Sequence, residues 1–371
     1  LPRAAAAAPA VIIDIGTATT TAGFSTDEKA TFSGPTLVGK VNPAIAPADA
    51  ADLKGYFFGE EARQKRALLT LHHPVQSGVV ENWEDMERYL DFVITRALNI
   101  ADSGQHPFVV SEPPINPKGN RESMAQLFFE TFNAPLFYLA SRASLTLKTT
   151  GHDTGLVLSS GAGGTFSTPV YKGSVLRHAI TQNRLSGRDI DNYLTEQMKQ
   201  SGYTIDPYEA QTIKHKLLRI LKNPLKHTDL KEKKVTLETG AQVSLTAKHQ
   251  RSAEILFEPS MMGKRGADFI GIHETVKHSV DACEPEIRKD LCSNIFLCGG
   301  STAFEGFTDR LQYHLAHELK DYDVHITPIP DPQSAWNGGK LMANEAGFSK
   351  ICVTRQAYEE SGAQCVHTMC Y

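Results

Sequence analysis

An apolar run that ends in glycines and small hydroxyl residues decides the fold of this chain: Leu156-Val-Leu-Ser-Ser-Gly-Ala-Gly-Gly-Thr-Phe-Ser-Thr168. Glycines at the end of a strand let the backbone turn tightly, and successive N–H groups there can face a phosphate. The same pattern occurs earlier, in Val11-Ile-Ile-Asp-Ile-Gly-Thr-Ala-Thr-Thr20. Aligned, the copies place Asp14-x-Gly16 over Ser159-x-Gly161. The sequence therefore predicts two related hairpins that are candidate phosphate loops, of which only the first carries a carboxylate.

The bulk composition indicates a soluble, intracellular protein of at least two domains. The 371 residues exceed what one compact core accommodates, and hydrophobic residues at 41% and charged residues at 22% are ordinary for globular proteins. A net charge of −4 gives no footprint for nucleic acid or an anionic membrane, and no apolar run approaches the roughly 20 residues of a membrane span. Six dispersed cysteines without a CxxC pair indicate reduced thiols.

Apolar periodicity predicts helices over 60–71, 82–99, 120–132 and 141–147, and then over 190–201, 208–221, 271–283, 307–318 and 335–346. Residues 35–55 are rich in Pro and Ala, which predicts an exposed loop. A third strand-to-glycine junction, Asn294-Ile-Phe-Leu-Cys-Gly-Gly-Ser301, is either an anion- or base-binding edge or a plain tight turn. His273-Glu274 resembles half of a metalloprotease HExxH helix, but Lys277 stands where the second His belongs, so no zinc site is predicted. Two similar α/β halves, each with a glycine hairpin, would clamp a nucleotide.

Several longer motifs resemble the actin family, and the resemblance covers nearly the whole chain from Val11 to Tyr371. The chain looks like a divergent actin-related protein rather than a conventional actin. The motifs are Asn82-Trp-Glu-Asp-Met-Glu87, Asn116-Pro-Lys-Gly-Asn-Arg-Glu122, Phe129-Glu-Thr-Phe-Asn133, Ser186-Gly-Arg-Asp189, Gly271-Ile-His-Glu-Thr275, Ile287-Arg-Lys-Asp-Leu291 and Tyr358-Glu-Glu-Ser-Gly362.

The resemblance implies an α/β fold of two similar actin-like halves, with four subdomains, that close on a nucleotide cleft. It begins at Val11, and residues 1–10, which lack an apolar run of useful length, are predicted to be a flexible lead-in, with a remnant of a targeting segment as the alternative. It divides the rest into subdomain 1 (11–35, 74–149 and 334–371), subdomain 2 (36–73), subdomain 3 (150–185 and 274–333) and subdomain 4 (186–273).

The resemblance also implies a binding site for ATP or ADP. Asp14 is the one implied metal ligand, for a weakened Mg²⁺ site. The implied cofactor-binding residues are Asp14, Gly16, Thr17, Gly161, Gly163, Gly187, Arg188, Asp189, Lys214, Gly299, Gly300 and Ser301.

The departures from the family pattern all weaken hydrolysis. Thr21 replaces a lysine that neutralises phosphate charge, and Ser159 and Ala162 replace two aspartates that organise the metal's waters and the attacking water. Arg142 replaces a glutamine that positions this water. No catalytic residue is therefore assigned, since phosphoryl transfer depends on such positioning groups. One hypothesis is that Arg142 contacts phosphate directly in place of the lysine.

The resemblance with these departures favours a structural subunit that binds nucleotide with little or no hydrolysis, within a larger cytoskeletal or other multiprotein assembly. The alternative is an active, filament-forming actin-like ATPase. A sugar kinase or chaperone ATPase of the same superfold would lack the actin motifs. The expected partners are other protein subunits, among them conventional actin or cytoskeletal proteins, in the cytoplasm, with the nucleus as an alternative. Neither nucleic acid nor a membrane is expected. The resemblance places the family's filament-contact loop at 41–55, where a Pro- and Ala-rich sequence predicts poor homopolymerisation. It also implies an apolar target-binding cleft near 142–147 and 346–351.

Overall fold

A computed structural model describes residues 8–42, 55–223 and 230–370. The chain forms two compact units. The first comprises the described residues of Leu1–His152 and Gln333–Tyr371, and the second those of Asp153–Pro332. The predicted lead-in at 1–10 and the centre of the segment 41–55 lie largely outside the described residues, and the four-subdomain division remains a prediction.

Val-, Ile- and Leu-rich runs form the central strands, as their β propensity favours. The strands are β1 (Val11–Ile15), β2 (Thr19–Phe24), β3 (Phe32–Pro35), β4 (Val38–Val41), β5 (Tyr56–Phe58), β6 (Leu69–His72), β7 (Val75–Gln76), β8 (Val79–Val80), β9 (Phe108–Glu112), β10 (Leu136–Ser141), β11 (Gly155–Ser160), β12 (Thr165–Tyr171), β13 (Ser174–Val175), β14 (Thr181–Asn183), β15 (Lys233–Thr236), β16 (Gln242–Leu245), β17 (Ile295–Cys298), β18 (Ile326–Pro328) and β19 (Val353–Thr354).

Some helices begin at recognisable caps; the Asn82 side chain, for example, accepts a hydrogen bond from the Asp85 N–H at 3.0 Å. Two of them, α2 and α3, continue as π-helical turns at Phe92–Ala97 and Leu127–Thr131. The α-helices are α1 (Gly59–Gln64), α2 (Trp83–Asp91), α3 (Lys118–Gln126), α4 (Arg142–Lys148), α5 (Gly187–Gln200), α6 (Pro207–Leu217), α7 (Ala247–Gln250), α8 (Ile272–Asp281), α9 (Pro285–Cys292), α10 (Phe307–Glu318), α11 (Ser334–Ala343), α12 (Phe348–Ile351), α13 (Arg355–Ser361) and α14 (Val366–Met369). Short 3₁₀ turns lie at Arg66–Leu68, Ser103–Gln105, Arg177–Ala179, Ser252–Leu256, Pro259–Gly266, Gly300–Ala303 and Ala363–Cys365.

The main sheets of the two units repeat one topology. In the first unit the strand order is β19-β10-β9-β1-β2-β3, with β1 antiparallel to β2 and parallel to β9. In the second it is β13-β12-β11-β17-β18, with β11 antiparallel to β12 and parallel to β17. Each sheet contributes to its own buried apolar core, around residues such as Ile12 and Val109 in the first unit and Leu158 and Leu297 in the second. The mixed α/β fold in two similar halves is thus as the sequence predicted.

Two local predictions in the first unit were wrong. Residues 38–41 of the predicted loop form β4, in which Val38 is fully buried and pairs with both β5 and β6. The predicted helix 60–71 ends at Gln64, and its last part becomes β6. In both places the structure is set by pairing with strands that are distant in sequence, which a local sequence pattern cannot predict.

None of the helices within the described residues combines the length and the apolar character that crossing a membrane requires.

Candidate functional site

The two glycine hairpins share one backbone geometry. In the first, the Gly16 N–H donates to the Thr19 carbonyl at 2.9 Å, and in the second the Gly161 N–H donates to the Gly164 carbonyl at 3.0 Å. Each bond closes a turn of two residues, so the alignment of Asp14 with Ser159 made from sequence is also a structural equivalence. Opposite them on the partner strands stand Thr21 and Phe166.

Both turns present adjacent backbone N–H groups without an acceptor. Within the described part of the chain, no group accepts a hydrogen bond from the N–H of Thr17, Ala18, Ala162 or Gly163. The first turn is also held in place, because the Thr17 hydroxyl accepts from the Gly78 N–H at 2.9 Å. Consecutive free N–H groups in a turn form an anion-binding concavity, so each hairpin can take a phosphate oxygen through its backbone.

The carboxylate of the first hairpin is bound to an arginine. The Arg142 Nε donates to Asp14 Oδ1 at 2.8 Å, and the Ser111 hydroxyl donates to the same oxygen at 2.5 Å. The Arg142 Nη2 also donates to the Ile15 carbonyl. The sequence hypothesis gave Arg142 a phosphate contact alone and missed this ion pair. The side chains of Arg142 and Asp14 are 24% and 13% exposed, so the pair is largely shielded from water.

These residues do not fit a divalent cation at Asp14. Mg²⁺ requires oxygen ligands in near-octahedral geometry and is commonly held through carboxylates, whereas Asp14 Oδ1 already accepts two hydrogen bonds and leaves only Oδ2 to an ion. An ion that bound there would also lie close to the guanidinium. At 4 Å and an effective dielectric constant of about 20, a divalent charge and a single positive charge repel by about 8 kcal/mol. The assignment of Asp14 as a metal ligand stays a prediction that this geometry disfavours.

In the second unit, glycines from distant parts of the sequence meet at the second hairpin. The Gly187 N–H donates to the Gly161 carbonyl at 2.9 Å, and a Cβ on Gly187 would lie 3.1 Å from the Ser301 hydroxyl and 3.4 Å from the Ala162 Cα. Gly299 has φ +90°, and a Cβ added to it would lie only 2.3 Å from the Ser160 carbonyl oxygen. Any other residue at this position would therefore be strained. The structure therefore brings Gly161, Gly187, Gly299 and Ser301 into one neighbourhood.

The first turn of α5 is fixed by its own polar residues. The Asp189 carboxylate accepts from the Ser186 N–H at 2.8 Å and from the Ser186 hydroxyl at 2.7 Å, which forms a capping box. Arg188 lies beside it, half-buried. Asp189 thus has a structural role in addition to the ligand contact expected from sequence.

Lys214 is buried at 4% exposure and donates to two groups of α5. Its Nζ lies 2.7 Å from Asp191 Oδ2 and 3.0 Å from the Gly187 carbonyl. Burial raises the pKa of Asp191 even though Lys214 acts to lower it. Sequence reasoning missed Asp191, although it stands four residues after Gly187 and therefore on the same face of α5.

A cavity of about 240 Å³ lies within the second unit. Two of its lining residues, His215 and Gly300, are the sequence neighbours of Lys214 and Ser301. Whole sites for drug-sized ligands occupy about 300–1,000 Å³, so this cavity suits part of a ligand, such as a planar ring. Gly300, which was expected from the sequence to bind the nucleotide, lines the cavity. Phe304 also lines it, but this residue was not identified from the sequence. The lining residues are His215, Lys216, Leu218, Arg219, Gly300, Ala303, Phe304 and Glu305.

A second group of ligand-type side chains lies away from the hairpins. His273 on α8 and His314 and Glu318 on α10 bring ligand atoms within 4.8 Å of one another. The two imidazoles stack with centroids 4.0 Å apart and planes at 16°, and Arg310 Nε donates to His314 Nε2 at 2.9 Å. Lone pairs of stacked rings lie in nearly parallel planes and cannot converge on one ion. Burial is the main cause that lowers the pKa of each histidine to about 4. Aromatic stacking between two neutral rings therefore explains the arrangement.

Comparison with known families gives a match over almost the whole chain. The family model described as Actin matches residues 5–236 and 208–371, two segments that overlap and together span both units. The duplicated sheet topology and the paired glycine hairpins agree with this match. This chain belongs to the actin family.

Proposed function

We propose that this chain is a divergent actin-related structural subunit that binds ATP or ADP with little or no hydrolysis and acts as a platform in a larger multiprotein assembly. One observation carries the proposal. Both hairpin turns keep free N–H groups, whereas the only carboxylate among the equivalent positions, Asp14, is bound to Arg142. These turns can therefore hold phosphate, whereas the side chains at Ser159, Ala162 and Arg142 offer no carboxylate or amide to orient a water molecule.

Nucleotide binding is supported by backbone groups and by a cavity. Turn N–H groups bind phosphate whatever side chains the loop carries. The cavity lined by Gly300 offers space and Phe304 to a base, and the next residues of α6 after Lys214, His215 and Lys216, also line it. His215, Lys216, Arg219 and Glu305 make the lining mostly polar, so the cavity offers hydrogen-bonding groups beside Phe304.

Weak hydrolysis is supported by the side chains of the second hairpin. Ser159 and Ala162 supply no negative charge there, and the third position of the family pattern, Arg142, is occupied by its bond to Asp14. Removal of one preorganised electrostatic group costs about 2.7–4 kcal/mol of barrier, or roughly 10²–10³ in rate. Losses in groups that act together are not additive, but each is in the same direction.

A platform role among other proteins is supported by the surface. Among the described residues, the large apolar side chains with high exposure are Ile115, Leu341 and Ile351, and the last two lie on α11 and α12. This places apolar surface close to the segment 346–351, where the resemblance implies a target-binding cleft. The net charge of −4 offers no electrostatic attraction to nucleic acid.

The test of nucleotide binding is an equilibrium titration of the purified chain with a fluorescent ATP analogue, with competition by ATP and ADP. Ala303→Trp should abolish binding because it fills the cavity, and Ala282→Trp, at an exposed position outside the cavity in the same unit, should leave it unchanged. Absence of binding at millimolar nucleotide would contradict the proposal.

The platform role is tested by affinity purification of the tagged chain from its native cells, followed by mass spectrometry. Stoichiometric co-purification of a defined set of other subunits is expected. Recovery as a free monomer, or as filaments of this chain alone, would contradict the platform role, and the filaments would favour the alternative of a polymerising ATPase.

A further inference from the structure

Arg142 occupies a fixed position at the edge where three neighbouring strands end. The register of the first sheet pairs Ile13 with Val110, and Val110 with Leu139, so Asp14, Ser111 and the end of β10 lie side by side. Arg142 is the first residue of α4, directly after β10. Its helix is held by α11, since a Cβ on Gly338 would lie 1.8 Å from the Leu145 carbonyl. The guanidinium therefore extends from a rigid base.

The guanidinium uses only part of its hydrogen-bonding capacity on the protein. Its Nε bonds to Asp14, while Nη2 bonds to Ile15 and lies 3.4 Å from the Ser111 hydroxyl. Within the described residues, no group accepts a hydrogen bond from Nη1. About a quarter of the side chain is exposed, and Nη1 is not among the fully buried side-chain atoms that lack a partner, so an anion can reach it while Nε and Nη2 keep their bonds. Arginine is suited to such shared contacts because its donors form a rigid planar fork.

Charge around the first hairpin is balanced without a metal ion. Asp14 and Arg142 form one negative and one positive charge at 2.8 Å, and Ser111 donates to the same carboxylate oxygen. Thr21, on the strand opposite Asp14, is buried and neutral. An approaching phosphate would thus meet the guanidinium and the free N–H groups of the first turn, and no unpaired carboxylate that requires a cation.

We propose that Arg142 takes the place of a divalent cation at the first hairpin, with Asp14 as its anchor and Nη1 as its donor to a phosphate oxygen. The chain then binds ATP or ADP as the metal-free nucleotide. This inference rests on the proposed nucleotide binding, and it assigns to Arg142 a binding role rather than a catalytic one.

The experiment measures the affinity of the full chain for ATP by isothermal titration, once in magnesium chloride and once in excess EDTA. We expect the apparent dissociation constant in EDTA to be equal to or lower than that in magnesium chloride, because Mg²⁺ complexes ATP and lowers the concentration of the metal-free form. In EDTA, Arg142→Gln should weaken binding by about 10- to 100-fold, the worth of a charge-assisted hydrogen bond. Arg142→Lys, which keeps the charge, should recover part of this loss.

A second measurement needs no nucleotide. Binding of Mn²⁺, followed by its paramagnetic resonance signal, should be absent in the unmodified chain and should appear in Arg142→Gln, because that change frees Asp14. Circular dichroism establishes that each variant is folded.

Three outcomes separate the inference from the function on which it rests. Affinity in EDTA that equals or exceeds the affinity in magnesium supports the inference. Binding in magnesium that is lost in EDTA overturns it and leaves the proposed nucleotide binding intact. Absence of binding in both buffers overturns both. Mn²⁺ binding by the unmodified chain that Asp14→Asn abolishes would also overturn the inference.

Discussion

Replacement of Lys214 by methionine is the perturbation whose size follows most directly from the structure. The change keeps the length of the side chain and removes its charge, which leaves Asp191 without its partner at 2.7 Å. Asp191 Oδ1 is buried and has no hydrogen-bond partner among the described residues. Removal of one member of a buried ion pair costs about 3–5 kcal/mol because the other charge stays uncompensated. The cost should be smaller in acid, because the pKa of Asp191 is raised and its protonation removes the buried charge.

Hydrogen exchange measures this loss where it occurs. Amides of α5 and α6 that exchange through unfolding of the second unit should exchange about 10²- to 10⁴-fold faster in Lys214→Met, which corresponds to about 3–5 kcal/mol. Amides of α2, in the first unit, serve as an internal reference. Lys216→Met changes an exposed lysine on the same helix and should have little effect.

The double variant Lys214→Met with Asp191→Asn should recover most of the stability, because no buried charge remains. Unchanged exchange in Lys214→Met, together with complete loss of nucleotide binding, would contradict a stabilising role of the Lys214–Asp191 pair. It would show that Lys214 acts on the ligand and contributes nothing to the packing of α5 against α6.

Three further predictions concern the second unit and assembly. Gly299→Ala should destabilise the second unit by about 1–3 kcal/mol or more, because residue 299 has a positive φ and its Cβ would contact the Ser160 carbonyl. Gly300→Ala has open space at its Cβ, so it should lower nucleotide affinity without lowering the denaturation midpoint. In the folded state the pKa of His273 is about 4, below its unfolded value of about 6.5, so the stability of the fold should fall as the pH drops from about 6.5 to about 4. The dependence of the denaturation midpoint on pH should be weaker in His273→Phe over this range. The isolated chain should remain in the supernatant on sedimentation under conditions that polymerise actins, since segment 41–55 offers few apolar anchors; a large pelleted fraction would contradict this.

The hairpins and most helices could be predicted because their signals are local. Asp14-x-Gly16 and Ser159-x-Gly161 stand at equivalent positions of two equivalent turns, and the helix predicted over 307–318 has those bounds in the structure. Glycine at a turn and apolar spacing along a helix depend on a few neighbouring residues, which a sequence displays directly.

The Arg142–Asp14 pair could not be predicted in this way, because its members are 128 residues apart. Only the parallel register of β1, β9 and β10 brings their ends to one edge of the sheet. The resemblance to the family assigned each residue a separate role toward the ligand and gave no reason to pair them. A rule that carboxyl ends of parallel strands meet at the same edge would have placed them near each other, though not in contact.

The Lys214–Asp191 pair was missed for a related reason. Its residues lie on two helices whose packing angle no local pattern specifies, and the resemblance directed attention from Lys214 to the ligand alone. Buried polar residues of this kind become visible only when burial is known, since both would be ordinary on a solvated helix face.

Weak hydrolysis is measured by single-turnover release of phosphate from ATP bound to the unmodified chain. We expect release at least about 10²-fold slower than from a conventional actin measured alongside, because Ser159, Ala162 and Arg142 supply no group that orients the attacking water. The variant with Ser159→Asp, Ala162→Asp and Arg142→Gln should release phosphate faster than the unmodified chain. Release from the unmodified chain at the rate of the conventional actin would contradict the proposal that this chain hydrolyses ATP weakly or not at all.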